Sequence, residues 1–500
     1  MSCRACHSRC NRLVKRPKWY PTRLLDIGVS GDSTWALRTC SKEPPSSPNY
    51  MTLSYRWGSV PCLKLLRSNI EELSTGKPIR DLPLTFRDSI AVARRFSIRY
   101  LWIDRLCILQ DSQEDWLKES SAMRDVYANS SCNIAAAVSS DPHGGLFRFR
   151  YPADIQPGVV QLKFSNLSQE NFFIFDELYW DRQVSDTVLH SRGWVFQECL
   201  LAPRVLHFTE KQIFWECFND RKCEGFPSEL RFGRRLKDFE PLFGATAPRN
   251  VQDRLLSEFA YDLWIDFINA YSKCALTRST DRLVALSGLA KLYQEATGDE
   301  YVAGMWRSRL PWFLAWYVRK PIPKSSSEYC APSWSWASVG GPVLMPRITP
   351  SAIPLIDVFD VQITPSTGDH TGQLSGGFVV VKGCIVHSAY PGVLGPRWMK
   401  IGDDHMRLYV KEDTRNSNSE QSTQIYFLAL ICGPKSPDTS SILTGLVLQP
   451  LARSSDEYTR IGLFTVLDPA ELKYFGVRLR GRKVMLTPER EDLLSVIKIF

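Results

Sequence analysis

The spacing of apolar side chains changes abruptly across residues 100–127. Residues 100–103, Tyr-Leu-Trp-Ile, are too short a run for a helix and predict a buried strand. Beyond Asp111 the period becomes helical: Trp116, Ser120, Met123 and Tyr127 follow at four, three and four. Ser112 with Asp115 gives that helix a capping-box start. Residues 50–55 predict another strand, with Met51, Leu53 and Tyr55 on one side. Pro83 opens a helix running to about Phe96, its stripe formed by Phe86, Ile90 and Ala93. Residues 132–138 are small and apolar, and suit a further strand. Strand, helix, strand, helix, strand predicts right-handed crossovers and a parallel sheet with helices on both faces. Ahead of this block, residues 23–27 and 34–38 are strand-like, and Pro44, Pro45 and Pro48 mark a linker over 41–49.

After residue 144 the pattern loosens. Residues 159–164 and 171–175 predict strands, residues 191–198 begin a helix, and 205–209 with 212–217 form a β pair. Residues 219–250 are polar and loop-like. Residues 255–277, 281–297 and 301–318 predict three helices, the last rich in tryptophan. Pro321, Pro323, Ser325–Ser327 and Pro332 break this pattern. Short β runs follow at 358–363, 378–385, 424–430 and 445–448, with turn-rich gaps at 410–423 and 433–440. The expected division is an arm and linker at 1–49, an α/β domain at 50–217, a helical region at 218–340 and a β-rich module at 341–500.

Five hundred residues exceed one ordinary core, which agrees with that division. No apolar run approaches the ~20 residues of a membrane helix, and the first residues lack the apolar core of a secretory signal. Fourteen scattered cysteines predict reduced thiols and a cytoplasmic or other intracellular setting, the nucleus included. The net charge is +9, yet residues 1–25 hold seven basic residues and no acid. The body is close to neutral, so nucleic acid is not an expected partner, and the basic arm predicts a solvated tail.

The arm also holds Cys3, Cys6, His7 and Cys10. A structural zinc site needs four ligands, often as two spaced pairs. These four crowd into eight residues, and Cys217 and Cys223, the distant thiols that could add to them, are spaced more loosely than usual. The sequence therefore assigns no metal. Walker, Gly-x-Gly, His-Glu-x-x-His and Gly-x-Ser-x-Gly motifs are absent. Cys107 has no histidine placed to activate it, and His143, His190 and His207 lack metal spacing. Two acids stand out by position. Asp104 directly follows a predicted strand, where an open parallel sheet binds ligands, although an acid there more often caps a turn or pairs with Arg99 or Arg105. Glu119 flanks the helical stripe. It is either a solvated rim charge, the commoner case, or a pocket acid.

Ordered motifs over residues 50–217 resemble the fungal heterokaryon incompatibility (HET) domain. They are residues 50–58 (Tyr-Met-Thr-Leu-Ser-Tyr-Arg-Trp-Gly), residues 82–90, and residues 100–110 with Asp115, Trp116, Glu119 and Met123. Tyr127 with Ala135–Ala137, residues 191–194 with Gln197 and Glu198, and Arg204 before residues 215–217 complete the set. Residues 281–288 and 331–338 resemble the segment that often follows the domain, with weaker likeness at 457–462. Arg105 stands where members often carry serine, at the edge of the expected pocket. The resemblance implies a doubly wound, distantly TIR-like parallel sheet and a role in self/non-self recognition and programmed cell death. Some TIR domains cleave NAD at the nicotinamide–ribose bond with a helical Glu. By that analogy Glu119 and Asp104 are the catalytic candidates, while Ser54, Arg56, Trp57 and Gly58 face the nucleotide. NAD would be substrate, with no cofactor required. A non-catalytic module that binds nucleotide or self-assembles, alone or with an incompatibility partner, is the competing reading.

Overall fold

The computed structural model describes residues 2–12, 19–47, 49–156, 158–162, 170–174, 176–228, 230, 235–243, 257–323, 328–347, 351–390, 395–401, 404–415, 423–433, 442–451, 456–481 and 483–500. The chain divides into two units, Met1–Phe239 and Glu240–Phe500. The predicted break at 320–332 and the gaps at 410–423 and 433–440 lie partly or largely outside the described residues.

The first unit is built on a mixed sheet. Its strands are β1 (Arg23–Asp26), β2 (Thr34–Thr39), β3 (Tyr50–Ser54), β4 (Lys77–Pro78), β5 (Tyr100–Trp102) and β6 (Cys132–Ala136). A separate hairpin, β7 (Gly158–Leu162) and β8 (Glu170–Ile174), precedes β9 (Arg204–Phe208), β10 (Ile213–Cys217) and β11 (Arg221–Cys223). The order across the sheet is β11-β10-β9-β6-β3-β5-β1-β2-β4. Only β9, β6, β3 and β5 run parallel to their neighbours. β1 joins β5 antiparallel, and β10 joins β9 antiparallel. By order of appearance the four parallel strands stand 2-1-3-4, as in open doubly wound sheets. In such sheets the ligand crevice opens at the carboxyl ends where the winding reverses, here between β3 and β6. Every residue of β3, β5 and β6 is buried, which explains why they read as continuous runs and not as alternating ones.

The helices of this unit are α1 (Ser2–Cys6), α2 (Ser8–Arg12), α3 (Ile70–Thr75), α4 (Leu84–Arg95), α5 (Asp104–Cys107), α6 (Gln113–Ala128) and α7 (Gly193–Leu201). The Asp115 backbone N–H donates to Ser112 Oγ at 3.3 Å, so the cap expected for α6 forms. The α6 face turned inward carries Glu119, Ser120, Met123, Val126 and Tyr127.

In the second unit the helices expected at 255–277 and 281–297 form over Glu258–Tyr271 and Ser287–Thr297. The helix expected over 301–318 does not form. Tyr301–Val302 and Met305–Trp306 make a tight hairpin, followed by a one-turn helix at Leu310–Phe313. Ala303 and Gly304 occupy left-handed backbone, with φ of 48° and 93°, and Pro311 cannot continue a helix from the preceding turn. The gain from the hairpin is aromatic packing. Trp264 lies 4.8 Å from Tyr293 and 5.1 Å from Trp306 by ring centres, and Trp264 and Trp336 each donate an indole N–H to the Gly304 carbonyl at 3.0 Å. A Cβ on Gly304 would sit 2.5 Å from Trp336 Nε1. Gly304→Ala should therefore cost about 1–3 kcal/mol in chemical denaturation. A cost near zero would mean that the aromatic cluster yields freely.

The remainder of this unit is β. Strands Leu374–Tyr390, Thr423–Cys432, Leu443–Pro450, Glu457–Val466 and Leu494–Ile499 pair in a closed ring. Phe427, Phe464, Leu443 and Phe475 are among its core residues. Arg460, fully buried on this ring, donates to Asp413 at 2.8 and 3.2 Å and to the carbonyls of Leu314 and Trp316 at 2.6 Å. Its guanidinium lies 3.4 Å from the Trp316 ring centre.

Candidate functional site

The carboxyl ends of β3 and β5 and the start of α7 converge on one buried group of polar side chains. Ser54 ends β3 and is buried; its hydroxyl bonds to the Glu198 carboxyl. Asn133, inside β6, donates from Nδ2 to Ser54 Oγ at 2.9 Å and accepts from Thr52 Oγ1 at 3.0 Å. Because Asn133 already donates to Ser54, the Ser54 proton is directed to Glu198. Tyr127, reaching in from α6, hydrogen bonds to the same carboxyl. Arg192, which caps the start of α7, donates to the Tyr55 carbonyl, and its charge acts on both Glu198 and Asp104.

Burial pushes the Glu198 carboxyl up to about 7; Arg192, Ser54 and Tyr127 oppose the shift, and the nearby Asp104 adds to it. Asp104 begins α5. Its carboxylate accepts from the Trp57 indole at 2.7 Å and from the Arg105 backbone N–H at 2.6 Å. Burial raises Asp104 as well, against Arg192, Trp57, the Arg105 N–H and Tyr55. Two carboxyls under one cation, of which one is half-protonated near neutral pH, suit general acid–base work or stabilisation of a developing cation.

Of the residues singled out from sequence, Ser54, Trp57 and Asp104 meet here. One face of Trp57 is covered by Arg105, whose guanidinium lies 4.6 Å from the ring centre. Arg56 is half-buried and makes no hydrogen bond or ion pair among the described residues. Gly58 adopts φ 62°, and a Cβ there would come 2.5 Å from Asp141 Cβ, which is reason enough for a glycine in that turn.

Glu119 lies elsewhere. The sequence leaves it either a solvated rim charge or an acid facing a cleft beside Asp104; the structure has it 1% exposed, with Thr22, Arg23 and Asp115 as neighbours. Its carboxyl is raised by burial, held down by a hydrogen bond from Thr22, and one oxygen, Oε1, has no partner among the described residues. Arg23 pairs with Asp115 at 2.7 Å and opens β1, one strand outward from β5. Glu119 is also eight residues, about 12 Å along α6, from the Tyr127 that meets Glu198. The Glu198 site escapes a sequence reading because α7 is almost wholly apolar. The available signal was the polar pair Gln197–Glu198 inside that run, both buried.

Behind this site the His190 and His207 rings lie 5.2 Å apart by their centres, tilted by 37°. Burial first, and then His207, depress His190 to about 3, against the pull of Glu216. The folded state thus holds His190 neutral while the unfolded chain protonates it below about pH 6.5. Its contribution to stability falls as pH drops through that window, by about 2 kcal/mol between pH 7 and pH 5. Urea titrations of the protein and of His190→Gln at the two pH values should differ by that amount; parallel pH dependence would refute the assignment.

The profile of the family described as heterokaryon incompatibility protein (HET) matches residues 50–198. That span takes in Ser54, Asp104, Tyr127, Asn133, Arg192 and Glu198. Over 123 residues the chain is 30% identical to "Heterokaryon incompatibility protein 6, OR allele" of Neurospora crassa. The match covers 21% of this chain and 17% of that protein, so the chain spans less than a fifth of that relative's length. No solved structure matches.

Proposed function

Residues 50–198 make this chain a HET-domain protein, and from that premise we propose that it acts in self/non-self recognition and programmed cell death by hydrolysing NAD. The observation that carries this reading is the buried Glu198 carboxyl, bonded to Ser54 and close to Asp104, at the reversal point of a 2-1-3-4 parallel sheet. The same strand order supports a TIR-like fold for the unit. In the proposed reaction the C1′–nicotinamide bond breaks, its electron pair leaves with nicotinamide, and a water oxygen bonds to C1′, giving ADP-ribose and a proton. The cationic nicotinamide ring favours the ionised form of Glu198, which then faces the oxocarbenium-like centre. Asp104, fixed by Trp57, orients ribose hydroxyls or takes the proton from water.

Among the described residues no helix is long and apolar enough to cross a membrane, and all fourteen cysteines are free thiols. The absence of disulfides among these thiols supports action in the reducing cytoplasm. A non-catalytic module that binds nucleotide, or self-assembles with copies or a partner, remains the second reading, favoured by how deeply Ser54 and Glu198 are enclosed. The purified chain incubated with NAD should release nicotinamide and ADP-ribose in equal amounts. NAD that binds but stays intact would favour the second reading.

A further inference from the structure

We propose that Cys3, His7, Cys10 and Cys217 form a structural zinc site that fastens the N-terminal arm to the sheet. One ligand atom from each lies within 4.8 Å of all the others. His7 Nδ1 stands 3.5 Å from Cys217 Sγ and 3.9 Å from Cys10 Sγ. A tetrahedral zinc with sulfur at about 2.3 Å and nitrogen at about 2.0 Å separates its ligand atoms by roughly 3.5–3.8 Å, so little closure is needed.

The surroundings are those of a metal centre. The other imidazole nitrogen, Nε2, lies 3.4 Å from Asp220 Oδ2, an arrangement that fixes the tautomer and leaves Nδ1 to the metal. The Asp220 backbone N–H donates to Cys217 Sγ at 3.3 Å, and Arg204 Nε donates to Cys3 Sγ at 3.2 Å. Three thiolates and one histidine around a divalent ion leave a charge of −1, which the buried Arg204 offsets. With four protein ligands the site is closed, as structural sites are.

The described part of the arm has little apolar surface of its own on which to fold. Residues 2–12 contain no large aliphatic or aromatic side chain, and α1 and α2 are five residues each, far below the length of a stable isolated helix. Yet Cys3 and Cys10 are buried, at 7% and 1% exposure. Positions 3, 7 and 10 are spaced four and three, which places them on one face across the two turns. Cys6 is exposed and outside the set, and Cys223 packs instead with Trp180 and Phe214. Residues 2–12, with Cys3 and Cys10 buried, are thus not part of the solvated tail that the basic charge of the arm suggests. Crowding counted against a site in the sequence because Cys6 was included, and because Cys217 was weighed as half of a loose pair with Cys223 when it joins the cluster alone.

The test uses the full chain, purified under reducing conditions, exposed to zinc and desalted before elemental analysis. Wild type and Cys6→Ser should each retain one zinc per chain, while His7→Ala and Cys217→Ser should lose it at least ~10-fold more readily to a competing chelator. Wild type without zinc, or Cys217→Ser holding it as tightly as wild type, would overturn the site. As Cys217 ends a sheet strand, cobalt-loaded wild type gives a readout that needs no variant. Intense tetrahedral bands with thiolate charge transfer are expected, and the weak spectrum of octahedral cobalt would refute the proposal.

Discussion

Glu198→Gln should lower nicotinamide release from NAD by ~100-fold or more while the protein stays folded, the loss expected when one electrostatic group facing a developing charge is removed. Glutamine keeps the volume and a hydrogen bond to Ser54, so the structural consequence is small. The pH dependence of stability supplies an independent check. The Glu198 carboxyl is held at about 7 in the fold against about 4.5 unfolded, so the folded state binds the extra proton between those values. A raised carboxyl penalises the fold as pH rises through that window. Glu198→Gln should therefore gain stability relative to wild type, by about 3 kcal/mol at pH 8 compared with pH 4. Glu119→Gln removes a carboxyl whose neighbours are Thr22 and Arg23, and should leave turnover within a few-fold. Were Glu119→Gln inactive and Glu198→Gln active, the site would be misplaced and the assignment by analogy restored.

Arg460→Leu should destabilise the second unit by about 3–5 kcal/mol, as loss of one member of a buried pair does. Asp413 would keep a buried charge without its cation, and the Leu314 and Trp316 carbonyls would lose their donor. The two side chains are 0% and 5% exposed, so water cannot replace the lost partner. The double variant Arg460→Leu with Asp413→Leu should recover part of the loss, because no charge is then stranded. Urea unfolding followed by tryptophan fluorescence would report it through Trp316, on which the guanidinium lies. Equal stability of wild type and Arg460→Leu would show that the pair is dispensable.

Much of the first unit was legible because its signals are local. β3, β5 and β6 are runs buried on both faces, and α4 and α6 carry clear stripes with a proline or a serine at the entry. The strand-like segments before residue 50 were visible too, but not their antiparallel attachment beside β5, since register between distant strands leaves no periodic mark. Asp104 could be placed because it directly follows a strand. The carboxyl that meets Ser54 could not, because which helix overlies the strand ends is decided by packing, not by the phase of a stripe. The segment 301–318 misled for a related reason. Its run of apolar residues and tryptophans suits a buried helix in sequence, but Trp306 and Trp316 are buried through a hairpin turning on Gly304 and through the loop after Pro311.

Strand Leu494–Ile499 sits between Leu374–Tyr390 and Glu457–Val466, and this has a bearing on how the protein is made. The first unit has all its strands once residue 223 has left the ribosome. The ring of the second cannot close until residues 494–499 follow, and at roughly 5–20 residues per second that is a delay of some tens of seconds. Late in that interval two long strands stay unpaired along one edge, Leu374–Tyr390 for roughly 5–20 s and Glu457–Val466 for a few seconds, open to other nascent chains on the same message. Ribosomes stalled before residue 494 would carry the strands of the first unit joined to an open sheet.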